Sequence, residues 1–338
     1  MQAKMAGKGR LANRIYQFLF ALWVPIFGWS VRHLPLGVLY ALGGVSIRTW
    51  LLLKPKYARA LRSNFARITG EAPEERRVRD LARTTALNHG RYWIDFFYWS
   101  ERGAMAAQGA IRGIENLESL ERCIGSGRGF VALTAHIGNW EMGGLLLGGR
   151  AGEIAVVYVP DRFRIIESYR SRYRRSAGIV EVPITDDPLS ALWALRVLRA
   201  GGVVAVQGDR DFNDSGIPVP FFGEAAYFPR GPAVLSLLSG SPILPVFILR
   251  GEDSTGPGSG GFRVVVSDPI EPQGDPREEA AVEALVRKIV PVIERMVRAH
   301  PEQWYCFYPF WDDPTRRPGG RPAPRSARVP ESLTADRH

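Results

Sequence analysis

A histidine is followed five positions later by a carboxylate in the run Phe130-Val131-Ala132-Leu133-Thr134-Ala135-His136-Ile137-Gly138-Asn139-Trp140-Glu141. A carboxylate bonded to one ring nitrogen fixes the imidazole tautomer and steadies the imidazolium, which leaves the other nitrogen to take a proton. His136 and Glu141 therefore read as a general base and its orienting acid, with no covalent nucleophile of their own. That is equipment for deprotonating a hydroxyl. The chain has five histidines, and the same spacing gives Val38 after His33, Ile94 after His89, Tyr305 after His300 and nothing after His338. On local grounds alone, a core histidine bonded to backbone is the alternative.

The elements that would position this pair can be read around it. The turn-like Gly125-Ser126-Gly127-Arg128-Gly129 introduces a short apolar stretch from Phe130 to Ala135, which suits a buried strand. His136 then lies at a strand end, Gly138 permits a sharp turn, and Asn139 caps a helix whose first turn holds Glu141. Strand-like and helix-like segments alternate from there. Ile154 to Val159, Val203 to Val206, Ile243 to Leu249 and Phe262 to Val266 read as strands. Ile165 to Arg175, Leu189 to Ala200, Ala233 to Leu238 and Arg277 to Ala299 read as helices, and so does Glu74 to Trp99 earlier in the chain. This alternation predicts an α/β sandwich with a largely parallel sheet, its functional residues in loops at the carboxyl ends of the strands.

A second charged segment follows the Val203 to Val206 strand: Gly208-Asp209-Arg210-Asp211, continuing to Gly216-Ile217-Pro218-Val219-Pro220-Phe221-Phe222-Gly223. Its strand-end position predicts an ion-paired cluster facing the crevice of His136. Arg210 would clamp an anion, Asp209 or Asp211 would hold it or another group in place, and Phe221 and Phe222 would line an apolar tunnel. An Asp-Arg network under an ordinary turn is the other reading. A basic helical stretch carries Arg162, Arg164, Arg170, Arg172, Arg174 and Arg175 with Tyr169 and Tyr173, suited to a phosphorylated headgroup, a phosphopantetheine-bearing donor or a solvated face. No nucleic-acid reader motif accompanies it. The chain lacks a G-x-S-x-G elbow, a P-loop, a dinucleotide G-x-G-x-x-G running directly from a strand into a helix and an HExxH pair. What remains suits direct attack by a substrate hydroxyl on a reactive acyl donor.

The 338 residues accommodate one large α/β domain plus appendages, and a 46% hydrophobic content is enough for a sizeable core. Nine Trp, eleven Tyr and sixteen Phe exceed what such a core needs, and point to an apolar ligand or a membrane surface. A net charge of +10 invites anionic partners, although arginine-rich composition also arises without any. Cys123 and Cys306 show neither CxxC nor zinc-ligand spacing, which fits a reducing compartment and no structural metal. At the amino end, Lys4, Lys8, Arg10 and Arg14 precede two uncharged stretches, Ile15 to Val31 and Leu34 to Ile47, separated by Arg32-His33. Each is short for a span, and basic residues from Arg48 onward follow them. The expectation is an amphipathic or re-entrant anchor with both flanks on the cytoplasmic side, a single kinked span or a buried helix pair being the alternatives. Gly251 to Gly261 reads as a flexible loop, and Arg316 to His338 as a disordered tail.

Taken together, HIGNWE around His136, GDRD at Gly208 to Asp211, GIPVPFFG at Gly216 to Gly223, SPILPVF at Ser241 to Phe247 and HPEQWYCFYPFW at His300 to Trp311 carry a resemblance. The chain resembles the bacterial lipid A biosynthesis acyltransferases, the lauroyl and myristoyl transferases, and their relatives that acylate phosphatidylinositol mannosides. The resemblance implies a glycerolipid-acyltransferase-like αβ sandwich with an N-terminal helical membrane anchor over residues 1–60, an acyltransferase domain over 61–315 and a tail over 316–338. It implies an O-acyltransferase at the cytoplasmic face of the bacterial inner membrane. Acyl carrier protein or coenzyme A thioester would be donor, an anionic glycolipid acceptor, and no cofactor, metal or nucleic acid would take part. By position it makes His136 the base and Glu141 its partner, and places Arg174 and Asp209 to Asp211 near the acceptor headgroup or the base. Hydrolysis of acyl thioesters and non-catalytic binding of anionic membrane or nucleic acid stand as alternatives. The related glycerolipid enzymes carry FPEGT where this chain has Phe228-Pro229-Arg230-Gly231, which disfavours lysophosphatidic acid as acceptor.

Overall fold

The computed structural model describes residues 26–144, 152–161, 164–184, 189–212, 215–251 and 261–311. The anchor's first residues through Pro25, Arg162, most of the Gly251 to Gly261 loop and the tail lie outside these. After a helical segment at 26–33, the helices are α1 (Leu36–Leu53), α2 (Pro55–Thr69), α3 (Arg76–Arg102), α4 (Ala104–Gln108), α5 (Leu117–Gly125), α6 (Arg164–Ser176), α7 (Leu189–Arg199), α8 (Gly231–Ser239) and α9 (Glu279–Ala299). The strands are β1 (Ile111–Glu115), β2 (Phe130–Thr134), β3 (Ile154–Tyr158), β4 (Ile179–Pro183), β5 (Val203–Gln207), β6 (Ile217–Phe221), β7 (Glu224–Phe228), β8 (Ile243–Arg250) and β9 (Phe262–Val266).

Seven strands form one sheet in the order β1-β9-β8-β2-β5-β3-β4, and β6 pairs with β7 in a separate hairpin. All neighbours in the large sheet are parallel except β8 with β9. Alternation along β2 explains its central place. Val131 and Leu133 enter one core with Val197 and Leu198 of α7 and Ile289 and Ile293 of α9, while Phe130 and Ala132 enter the other with Leu120 of α5, Phe96 of α3 and Tyr173 of α6. A strand buried on both faces reads as a continuous apolar run, as FVALT does. Helices on both sheet faces give the αβ sandwich that the alternation predicted. Leu61 and Phe65 of α2 and Val78 and Ala82 of α3 belong to the same core as the strands.

Helix α1 runs through Arg48 to Leu53, beyond the uncharged stretch that suggested it. Leu36 and Leu39 pack with Ile94 of α3, whereas Leu42, Val45, Leu52 and Leu53 are exposed. Among the described residues it is the one helix long and apolar enough to cross a membrane. A buried ion pair ties the region together: Arg250 at the end of β8 meets Asp95 of α3, which also accepts a hydrogen bond of 2.5 Å from Tyr40 of α1.

Candidate active site

The register of β2 with β5 sets the site. Thr134 lies beside Gln207, so His136 and Asp209, each two residues further on, leave the sheet next to each other. The Asp209 carboxylate takes two bonds from residue 136, one from the backbone N–H to Oδ2 at 3.0 Å and one between ring Nδ1 and Oδ1 at 2.7 Å. A third donor, the indole Nε1 of Trp304, reaches Oδ2 at 3.1 Å. With an anionic acceptor at Nδ1, that nitrogen carries the proton, and Nε2 keeps its lone pair.

Electrostatics favour this arrangement. Burial alone would push the Asp209 carboxyl up, but the imidazole beside it, the hydrogen bonds from residue 136 and the Arg210 guanidinium hold it at about 2. Burial, then the Arg210 charge, lower the His136 imidazole below its ordinary value, and Asp209 offsets this only in part. The ring is therefore neutral near pH 7.

The loop after β2 holds this geometry by close backbone contact. Gly138 adopts φ of 63°, and a Cβ there would lie 2.0 Å from the carbonyl oxygen of Ile248. Only glycine fits a left-handed turn against that strand. The Asn139 N–H donates to the Ile248 carbonyl at 2.7 Å and the Gly138 N–H to the Gln303 carbonyl at 2.9 Å. The segment from Pro301 thus forms an extra strip along the loop, bridged between Ile137 and Trp304.

Glu141 does not reach the ring, which corrects the pairing expected from its spacing. The turn after Asn139 is a 3₁₀ turn, Trp140–Met142, which leads into helix at 143–144 without a side-chain capping bond from Asn139 and directs Glu141 toward α6. Its Oε1 lies 3.1 Å from Nη2 of Arg174 and 3.7 Å from Nε of Arg170. Those arginines are one helical turn apart and share a face of α6, so one carboxylate serves both. Trp140 instead packs edge-on against His136, with ring centroids 5.1 Å apart.

His136 opens on a cavity of about 620 Å³. One part is apolar and lies over the sheet, between small residues Ala132 and Ala205, Val156, Ile179 and Ile248. The polar part gathers Arg170, Arg174, Arg210, Asp211 and His89. Among the described residues no cluster of His, Cys, Asp and Glu could hold a metal ion.

A buried, neutral imidazole bonded to an aspartate thus faces a largely apolar cavity at the carboxyl end of a parallel sheet. Over residues 9–312 the chain matches the family described as bacterial lipid A biosynthesis acyltransferase. The chain belongs to that family. It is an acyltransferase. It is 29% identical over 257 residues to the phosphatidylinositol mannoside acyltransferase of Mycolicibacterium smegmatis, covering 74% of this chain and 78% of the relative. It is 30% identical over 259 residues to the enzyme of that name from Mycobacterium tuberculosis, covering 74% and 76%. Among solved structures, the 1-acyl-sn-glycerophosphate acyltransferase of Thermotoga maritima aligns with a TM-score of 0.35 and 17% identity, over 78% of this chain and 97% of that one.

In this acyltransferase the remaining expected site residues divide. Arg174 is buried and lines the cavity, tied to Glu141 and, at 3.4 Å, to Glu181. Arg210 also lines it and donates to the Tyr305 carbonyl at 2.6 Å. Asp211 lines it too, accepting the Gly216 N–H at 2.7 Å and so closing the loop before β6. Phe221 and Phe222 do not line it, contrary to the tunnel expected of them. Phe221 ends β6 fully buried against Phe228, Phe310 and Trp311, and Phe222 sits in the hairpin turn at φ of 52° beneath the Arg298 guanidinium. An apolar pair at the end of an alternating strand caps the core that the strand already faces.

Three residues escaped the sequence reading. Trp304 and Arg170 were in motifs already singled out, but their partners come from distant segments. His89 of α3 has no carboxylate five positions on, yet it lines the same cavity. Arg230, in place of the acid of related glycerolipid enzymes, pairs with Glu279 and also lines the cavity.

Proposed function

We propose that this acyltransferase moves a fatty acyl chain from an acyl carrier protein or coenzyme A thioester to a hydroxyl of an anionic glycolipid, at the cytoplasmic face of a bacterial plasma membrane. The observation that carries the reading is the neutral His136 imidazole, held through Nδ1 by Asp209 and lining a cavity with an apolar limb. Nε2 takes the proton as the acceptor oxygen attacks the thioester carbonyl. The tetrahedral intermediate collapses, the carbon–sulfur bond breaks, and the departing sulfur receives that proton from the imidazolium. The products are an ester and a free thiol, with no acyl-enzyme. Arg210 and Arg170 are the cations placed to steady developing negative charge.

The acceptor class rests on the mannosylated phosphoinositide named for both curated relatives, with a lipid A precursor as the other member of the class. The apolar limb accommodates the acyl tail and the arginines the phosphate. Membrane attachment rests on the exposed Leu42, Val45, Leu52 and Leu53 of α1, together with the basic residues on both sides of the apolar region. The test incubates the purified protein with palmitoyl coenzyme A or the corresponding acyl carrier protein, and with mannosylated phosphatidylinositol or a lipid A precursor. Mass spectrometry should find one added acyl chain on an acceptor. Release of free fatty acid with every acceptor unmodified would show a hydrolase instead.

A further inference from the structure

We infer that Trp304 is a positioning residue of the transfer reaction: its indole N–H fixes the rotation of the Asp209 carboxylate, and through it the orientation of the His136 ring. The inference rests on the general-base reading of His136 proposed above. The geometry is closed on all sides. Asp209 has two oxygens; Oδ1 is committed to the ring, and Oδ2 receives both the backbone N–H of His136 and the indole at 3.1 Å. Without the indole, the carboxylate can rotate about its Cβ–Cγ bond and trade ring contact for backbone contact. Trp304 is itself 1% exposed, so its N–H must find an acceptor inside the protein, and none of its flanking backbone contacts uses that atom.

The strip that carries Trp304 is registered on the His136 loop. Ile137 and Trp304 form an antiparallel bridge, and the Tyr305 N–H donates to the His136 carbonyl at 2.8 Å. Residues 136, 209 and 304 come from three separate segments; backbone bonds join the third to the first, and the indole bond joins it to the second. Its electrostatic effect has a definite sign. Each donor on the carboxylate draws charge away from His136, so the indole keeps the imidazole less basic than a bare aspartate would.

The test replaces Trp304 alone by 3-benzothienylalanine, which keeps the bicyclic shape and substitutes sulfur for the N–H. Trp304→Phe, with its thermal unfolding, serves as the coarser perturbation, because the smaller ring also leaves a void. Side-chain ¹⁵N spectra, with His136 assigned by loss of its signal in His136→Gln, report the tautomer and titration of the ring independently of turnover. The expected result is an upward move of the His136 titration, and of the acid limb of kcat/KM, by about half a unit to one unit. A loss of about 10-fold in kcat with KM nearly unchanged should accompany it. A titration and acid limb that stay where the natural protein has them, or move down, would overturn the inference. Failure of the base reading looks different: His136→Ala would keep its transfer rate while the titration still responds to position 304.

Discussion

Asp209 grips residue 136 at two points, the backbone N–H at 3.0 Å and ring Nδ1 at 2.7 Å, although 73 residues separate them in the chain. Asp209→Asn keeps the shape but can present an amide N–H to Nδ1, which turns the ring to the tautomer with Nε2 protonated. Transfer should fall by about 100-fold to 10,000-fold, the range that a positioned base contributes, with a lowered melting temperature, because the ionised carboxylate also stabilises the fold. Steady-state transfer rates and a melting curve check this.

Glu141→Gln acts on a different network. It leaves the buried Arg174 guanidinium with Glu181 and Glu167 but without its nearest carboxylate, so the cost falls below the about 3–5 kcal/mol of a buried charge stripped of its partner. The expected result is a lower melting temperature and a raised KM, with the acid limb of the pH profile unmoved. A displaced acid limb in this variant would return Glu141 to the ring.

The lowered His136 imidazole fixes the sign of the pH dependence of catalysis. The base works when neutral, so kcat/KM should be flat near pH 7 and decline only as pH falls below the ordinary histidine value of 6.5. A pH–rate profile already declining at pH 7 contradicts the buried, neutral ring.

Stability should respond to acid through His89. Burial first, then the charges of Arg210 and Arg170, lower this imidazole from 6.5 to about 3. Between those values the unfolded chain binds a proton that the folded chain refuses, so stability is complete above 6.5 and is lost as pH falls toward 3. The slope for one such proton is ~1.4 kcal/mol per pH unit. The depressed Asp209 adds loss of the same sign between 3.8 and about 2. Denaturant unfolding of His89→Phe against the natural protein, from pH 7 to 4, should show a shallower dependence in the variant.

Phe221→Ala separates core from site. Truncating a fully buried phenylalanine costs about 3–5 kcal/mol, while a residue outside the cavity leaves the chemistry alone. The variant should unfold earlier yet transfer at nearly the natural rate below its melting point. A changed preference for acyl chain length in this variant would place Phe221 in the tunnel after all.

The parts of the fold legible in the sequence are those whose signal is local. Phe130 to Ala135 and Phe262 to Val266 are short apolar runs, and the long period of Arg277 to Ala299 needs no partner to be seen. Strand β4, IVEVP, carries no clear local signal because Glu181 and the basic helix before it mask so short a run, and β1 carries none because Arg112, Gly113 and Glu115 make it a polar edge. Strand β6, IPVPF, was hidden by its prolines, which an edge position tolerates because both face solvent. At the site, His136 and the Asp209 to Asp211 cluster were visible as strand ends. Their pairing was not, because parallel register between β2 and β5 is a property of the whole sheet, whereas Glu141 offered a carboxylate close in the chain. Trp304 was beyond reach for the same reason.

The central claim, that His136 is the base, meets its most direct test in the rate of ester formation on a glycolipid acceptor by His136→Ala, measured beside the natural protein at pH 7.5 with the fold verified by circular dichroism. The account predicts a loss of about 100-fold to 10,000-fold with membrane attachment intact. A folded variant that still forms ester at the natural rate contradicts it.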